Sequence, residues 1–472
     1  MIMKTTFKNL LMLITMLSVS INAFADWDFK VDNIYYEITD QYDNIVKVTH
    51  GGITQGYFTP YESSYSGDIV IPEQVSYNGE TYTVNGIGTH AFHRCSELTS
   101  VKMPDTVGYI GQGAFYYCTG ITSITILEGV SSIGSEAFFY CENLESVTIP
   151  SSISNIGNEA FFSCNNLKAV YASDLSSWCK ITFWDEYANP LCDSGNLYIN
   201  GSLVNDIIIP NDITEIKNYT FYNCDNLASV SMQNNVTLIG ESAFRSCTNL
   251  ASVNIPNSVT SIGESAFSSC TNLASVNIPN SVTSIGKSAF EYCSNLESVK
   301  IPNRVKFVEP YTFNKCNLKT IVLGVEVNTI ENRAFYSTNL TDITSLNPKP
   351  PHFYNDSYNA PKVSDFFGYV ADKATLYVPK EALKSYMNSD VWKEFRKIKA
   401  IENGNVRDVA DDAVNVSAKE GNIVVNGTDN AVITVYNTNG QLVYSGTDNV
   451  INVPSKGIYI VRVSGQTFKV IL

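Results

Sequence analysis

The feature that most constrains this chain is a 23-residue repeat. The stretch Val259-Thr-Ser-Ile-Gly-Glu-Ser-Ala-Phe-Ser-Ser-Cys-Thr-Asn-Leu-Ala-Ser-Val-Asn-Ile-Pro recurs almost verbatim from Val282. Cysteines keep the phase at Cys95, Cys118, Cys141 and Cys164, and again at Cys224, Cys247, Cys270, Cys293 and Cys316. Three places earlier runs an unbroken phenylalanine column: Phe92, Phe115, Phe138, Phe161, Phe221, Phe244, Phe267, Phe290, Phe313 and Phe335. Ten units are therefore visible, the last with Thr338 in the cysteine place.

Within a unit the apolar spacing changes character. Ile262, Ala266, Phe267, Cys270 and Leu273 step by three or four, then Val276 and Ile278 alternate before Pro279. The spacing predicts a short helical turn, a short strand and a proline stop. Too few large apolar side chains stand in 23 residues for one unit to fold alone, so neighbours must cover one another. The expected fold is an α/β solenoid, capped at both ends and followed by a small all-β sandwich. At about 4.8 Å per strand, ten units span on the order of 50 Å.

Leu273-x-x-Val276-x-Ile278 matches a leucine-rich-repeat core, and the full unit resembles the BspA-like family of bacterial surface proteins over residues 81 to about 345. It lacks the asparagine ladder of ordinary leucine-rich repeats, with Ser258 and Ser281 near that place. The resemblance implies an exported, non-catalytic protein that adheres to host proteins or to other bacteria.

The flanks divide as follows. Residues 1–25 read as a signal peptide: Lys4 and Lys8, an apolar run Leu10 to Val19, then Ala23-Phe24-Ala25 before Asp26, with cleavage expected after Ala25. The run is too short for a membrane span. Removing Lys4 and Lys8 leaves 29 basic and 46 acidic residues, a charge of −17. That balance excludes nucleic acid as a partner. Residues 26–80 read as an N-terminal β cap, 81–345 as the solenoid, and 346–402 as a C-terminal cap with a helix from Glu381 to Ile398. A linker at 403–412 and a β-sandwich at 413–472 follow, with a hairpin signal at Asn439-Gly440. Ile433 to Tyr444, Gly457 to Val463 and Lys469 to Leu472 resemble the C-terminal sorting domain of the type IX secretion pathway of Bacteroidetes, which implies passage across the outer membrane.

Between Cys164 and Cys224 lie 37 residues more than one period, an insert at 174–206. It carries Trp178, Trp184, Tyr187, Tyr198, Asp185, Glu186 and the two unphased cysteines, Cys179 and Cys192. Two readings stand: an aromatic-acidic binding knob, or an enlarged repeat whose aromatics fill its own core. Cys179 and Cys192 are the expected disulfide. The carboxylates Asp185, Glu186, Asp193 and Asp206 lack calcium-loop spacing.

Catalytic and metal signals fail in alignment. His90 and His93 beside Cys95 have the spacing of a metal pair, yet they occupy variable places of the repeat. No nucleophile elbow, zinc motif or phosphate loop stands in context. No cofactor is expected, and the chain reads as a non-enzyme. Binding capacity lies instead in the outward strand positions: Lys102, Thr125, Thr148, Tyr171, Ser231, Asn254, Asn277 and Lys300, beside a serine column that includes Ser252 and Ser275. Such a shallow polar strip lacks aromatic anchors and suits multivalent contact with a protein or glycan on host or neighbouring cells. The alternatives are a glycan-capture protein using exposed Trp178 and Trp184, or a structural surface component.

Overall fold

The computed structural model describes residues 27–51, 65–193, 196–355 and 360–401, with 415–419, 422–426, 433–438, 441–446, 448, 450–454, 456–463 and 466–472 of the C-terminal part. The expected signal peptide and cleavage site, the expected linker and the hairpin signal at Asn439-Gly440 lie outside the described residues. The chain winds into a solenoid of about 13 coils with 23-residue spacing. Each regular coil has three sides. One is the strand of the Leu-x-x-Val-x-Ile core, as in Ser146–Ile149, with Val147 and Ile149 inward and Pro150 ending it. The second is a two-residue strand such as Asn155–Ile156. The third is the turn that carries Ala-Phe-x-x-Cys.

That turn is not helical. Residues two before and two after each phenylalanine adopt left-handed φ, as Glu136 (58°) and Tyr140 (56°) do around Phe138. A helix would consume its N–H groups within itself. The alternating hand instead aims every second N–H at the next coil: Glu136 N donates to Asn158 O, Phe138 N to Ala160 O and Tyr140 N to Phe162 O. Left-handed backbone costs about 1 kcal/mol or more per residue, which these inter-coil bonds offset.

The phenylalanine column stacks in two runs, one on either side of the insert. Neighbouring rings lie 5.0–5.1 Å apart from Phe92 to Phe161 and 5.3–5.5 Å apart from Phe221 to Phe367. The Ile-Gly glycine permits this close rise: a Cβ on Gly263 would stand 2.6 Å from Glu241 N of the preceding coil. Cysteine seals the turn from inside. Its thiol donates to the phenylalanine carbonyl one coil back, as Cys141 Sγ does to Phe115 O (3.1 Å).

Asparagine does bridge coils, contrary to expectation. Two places after the cysteine, Asn143 Nδ2 donates to Thr119 O, Asn166 to Glu142 O and Asn249 to Asp225 O, each at 2.8 Å. Ser258 and Ser281 hold a second column through Val236 O and Val259 O. The archetypal strand around Val276–Ile278 does not form. Ile278 is buried and Val276 half-buried there, but the ladder is interrupted, and the strands Asp206–Ile208, Ser229–Ser231 and Ser252–Asn254 form a sheet separate from that of Ser298–Lys300.

The insert is one further, distorted coil. Asn196–Ile199 pairs in parallel with Ala169–Ala172, and Thr182–Phe183 with Asn155–Ile156, both at a spacing of 27. Phe161 N donates to Tyr187 O, so Ala188 takes the phenylalanine place. The helix Leu175–Lys180, capped by Asp174, brings fully buried Trp178 to the next coil. Its indole Nε1 donates to Thr220 O at 2.9 Å, a carbonyl that elsewhere receives a phenylalanine N–H. Cys179 and Cys192 are both free thiols rather than a disulfide. Cys192 Sγ reaches Phe161 O at 3.7 Å, which enrols it in the cysteine column.

The coil geometry also outruns residues 81–345. Gly67–Val70 pairs with Leu98–Lys102 inside the expected N-terminal cap. There Tyr65 covers the column end, its ring 4.7 Å from Phe92 and its hydroxyl donating to Thr49 O. Three antiparallel strands, Phe29–Val31, Ile34–Asp40 and Ile45–Thr49, join the second side through Glu80–Ile87. At the other end Phe367 stacks on Phe335, and Asp342–Ser345, Thr375–Val378 and Lys397–Ala400 continue the sheet. The expected helix from Glu381 to Ile398 is broken into Lys380–Ala382, Leu383–Met387 and Trp392–Glu394 before that last strand. Trp392, pinned through Nε1 to Pro351 O at 2.8 Å, folds back over Phe353 instead of extending the helix. The C-terminal part has two small antiparallel sheets around its own core of Ile423, Val425, Ile433, Val435 and Val461.

Candidate functional site

Strand alternation sends one residue of each coil outward at the same height. Register places Thr125, Thr148, Tyr171, Tyr198 and Leu203 in one row, then Ile208, Ser231 and Asn254, then Lys300, Val322, Thr344, Tyr377 and Lys399. Lys102 opens the row opposite Val70, and Asn277 is exposed between Asn254 and Lys300 in sequence. Ser252 and Ser275 are exposed beside it. Seven of the eight expected outward positions lie in these paired strands, and Asn277 lies in the interrupted stretch where no strand forms.

What the repeat arithmetic missed is the middle. Tyr171 and Tyr198 lie ring to ring, 5.0 Å apart and tilted by 34°, and Leu203 stands opposite Tyr198. Tyr171 is 39% exposed, Leu203 37% and Ile208 55%. Polar residues flank this apolar centre on both sides, Thr125 and Thr148 before it and Ser231 and Asn254 after it. The missing signal was the 27-residue spacing of the insert, which hides Tyr198 from a 23-residue ruler.

The insert tryptophans separate. Trp184 is 63% exposed, where other coils carry the Ile-Gly glycine, whereas Trp178 is fully buried and cannot contact a ligand. They form no joint platform. Electrostatics at the row are mild: the Ser100 and Thr99 hydroxyls hold the exposed Asp68 carboxyl below its usual range. On the insert helix, Lys180 and Ser176 pull Asp212 down to about 2.

Nucleophilic chemistry finds no support in the column. Burial pushes the Cys141, Cys224 and Cys293 thiols up to about 12, so they carry no thiolate at neutral pH. Among the described residues no group of three or more His, Cys, Asp or Glu is placed to hold a metal ion. His90 and His93 pack edge to face at 5.0 Å, and His93 stacks on Tyr116 at 4.7 Å. Burial and the neighbouring His90, Arg94 and His50 lower His93 to about 4. No described helix is long and apolar enough to cross a membrane.

Comparison with known proteins places this architecture. The BspA type leucine rich repeat region matches in six copies, over residues 69–188, 195–319 and 283–359, more than half of the chain. The chain belongs to that family, whose repeats are typically non-catalytic scaffolds for protein binding. Among solved structures it is similar to a leucine rich cell surface protein from Faecalibacterium prausnitzii, at 25% identity over 62% of this chain and 94% of that one, TM-score 0.33. A leucine-rich repeat protein from Bacteroides ovatus matches at 25% identity over 80% and 100%, TM-score 0.34. One from Bacteroides capillosus matches at 30% identity over 31% and 97%, TM-score 0.26. No curated protein matches.

Proposed function

We propose that this BspA-type leucine-rich-repeat chain is an exported surface protein that adheres to a protein partner through the outward strand row. The observation that carries the reading is the Tyr171–Tyr198 pair. Two rigid amphipathic rings beside Leu203, bordered by small hydrogen-bonding side chains, have the anatomy of an interface with an anchored centre and a wet rim. The flanking Thr, Ser and Asn positions then supply register and many weak contacts.

Export rests on residues 1–25, with cleavage after Ala25. The C-terminal module acts as the sorting or anchoring domain that its resemblance to the type IX pathway implies. Burial of Trp178 removes the paired-tryptophan basis of the glycan-capture alternative. A screen of the purified protein from Asp26 onward against extracellular-matrix proteins and a glycan array tests the reading. A protein partner whose binding Tyr198→Glu abolishes supports it; a glycan hit indifferent to Tyr198→Glu overturns it.

A further inference from the structure

The turn side carries a second surface, unrelated to the strand row. Between Lys102 and Lys168 the chain holds no Lys, Arg or His, and three of its six carboxylates, Glu136, Glu142 and Glu159, stand in or beside the turns that carry the phenylalanines. On the same coils the residues just after the phenylalanine column form ring stacks: His93, Tyr116, Phe139 and Phe162 at 4.7–5.1 Å, and Tyr117 with Tyr140 at 4.6 Å. These stacked faces cover one another, with one exception.

The repeat supplies its own template for what belongs on an open ring face. Two places after the phenylalanine, Lys315 lies over the ring of Tyr292 one coil back, Nζ 4.5 Å from the centroid and 2.7 Å from the hydroxyl. At the other end of the same column Arg94 lies over Tyr117. Tyr140 occupies the place of Tyr292. One of its faces is covered by Tyr117, while the residue one coil on, in the place of Lys315, is Ser163. Both Lys315 and Ser163 have φ of 59°, so the turn takes the same hand at both places. Among the described residues no cation lies over Tyr140. Phe162 tilts against its ring at 5.9 Å, and Glu136 and Glu159 stand on the same turns, two places before their phenylalanines.

We infer that this aromatic, acidic stretch of the turn side docks a basic polypeptide segment, with a Lys or Arg side chain of the partner over Tyr140 in the space above Ser163. A ring face attracts ammonium and guanidinium groups, and the surrounding carboxylates raise the local concentration of a basic chain.

The test uses the protein from Asp26 to Leu472 and a fluorescent hexa-arginine peptide, read by anisotropy, with a hexa-glutamine peptide as comparator. Ser163→Lys places the protein's own ammonium over Tyr140, as Lys315 does over Tyr292, and binding weakens about tenfold. Ser246→Lys makes the same change of charge at the same place of another coil, where Asn223 one coil back and Ser269 one coil on offer no ring, and alters binding by less than about twofold. Tyr140→Phe keeps the affinity, because the ring remains. Tyr171→Ser/Tyr198→Ser also leaves it unchanged, which separates this site from the strand row. Equal loss in Ser163→Lys and Ser246→Lys would overturn the inference in favour of bulk charge. Spermidine competing as well as the peptide at equal charge would overturn it in favour of a free polyamine.

Discussion

The thiol of Cys141 donates to the carbonyl oxygen of Phe115, one coil back, at 3.1 Å. The same carbonyl also takes the N–H of Cys118. Cysteine at this place is therefore a small hydrophobe with a usable donor, and its repetition follows from backbone satisfaction rather than from redox chemistry.

Thiol counting follows directly. Denatured, unreduced protein is expected to titrate all eleven cysteines with a thiol reagent, and native protein at pH 8 to react only slowly, since burial raises the thiols of the column. A denatured count of nine would mean that Cys179 and Cys192 are joined.

Close approach of coils makes the repeat glycine sensitive. Gly263→Ala puts a Cβ 2.6 Å from Glu241 N and is expected to destabilise by about 3 kcal/mol in urea unfolding. Gly108→Ala, whose Cβ meets only Asn85 O at 3.6 Å, stays within about 0.5 kcal/mol. Equal effects at the two sites would contradict the packing described.

The distorted coil depends on one indole. Trp178→Phe keeps a ring but removes the donor to Thr220 O, and costs about 1–2 kcal/mol. Unchanged stability would show that this hydrogen bond is dispensable.

Acid should loosen the N-terminal coil. Burial first, then His90, Arg94 and His50, lower His93 to about 4 against an unfolded value of about 6.5. The unfolded chain therefore takes up the proton first, so the contribution of neutral His93 is complete above pH 6.5 and fades as pH falls toward 4. Between pH 7.5 and 4.5 the thermal midpoint of the wild type should drop further than that of His93→Phe. Parallel curves would exclude a role for this histidine.

Much of the molecule is legible from period alone, and the reason is physical. A coil that repeats its backbone must repeat the side chains that satisfy it, so Phe267, Cys270 and Gly263 announce themselves. The turn was misread because Ile262, Ala266 and Phe267 have helical spacing, while the left-handed φ of Ser265 and Ser269 leaves no mark on residue type. Residues as different as Glu136, Tyr140 and Ser265 take the left-handed place. The continuation to Phe367 was hidden by the 32-residue step from Phe335, and Tyr198 by the 27-residue coil. In both places the three-dimensional period survives a sequence period that does not. The open face of Tyr140 was legible in principle, since comparing Ser163 with Lys315 needs only the repeat alignment.

The central claim is that Tyr171 and Tyr198 anchor the partner. Its most direct test is the affinity of the protein from Asp26 onward for the partner recovered in the matrix screen, measured for the wild type and for Tyr171→Ser/Tyr198→Ser by surface plasmon resonance. Loss of two central aromatic anchors predicts a fall of about a hundredfold or more, with a thermal midpoint within about 3 °C of the wild type because both rings lie on the outer face. An unchanged affinity in a correctly folded double variant would contradict the account.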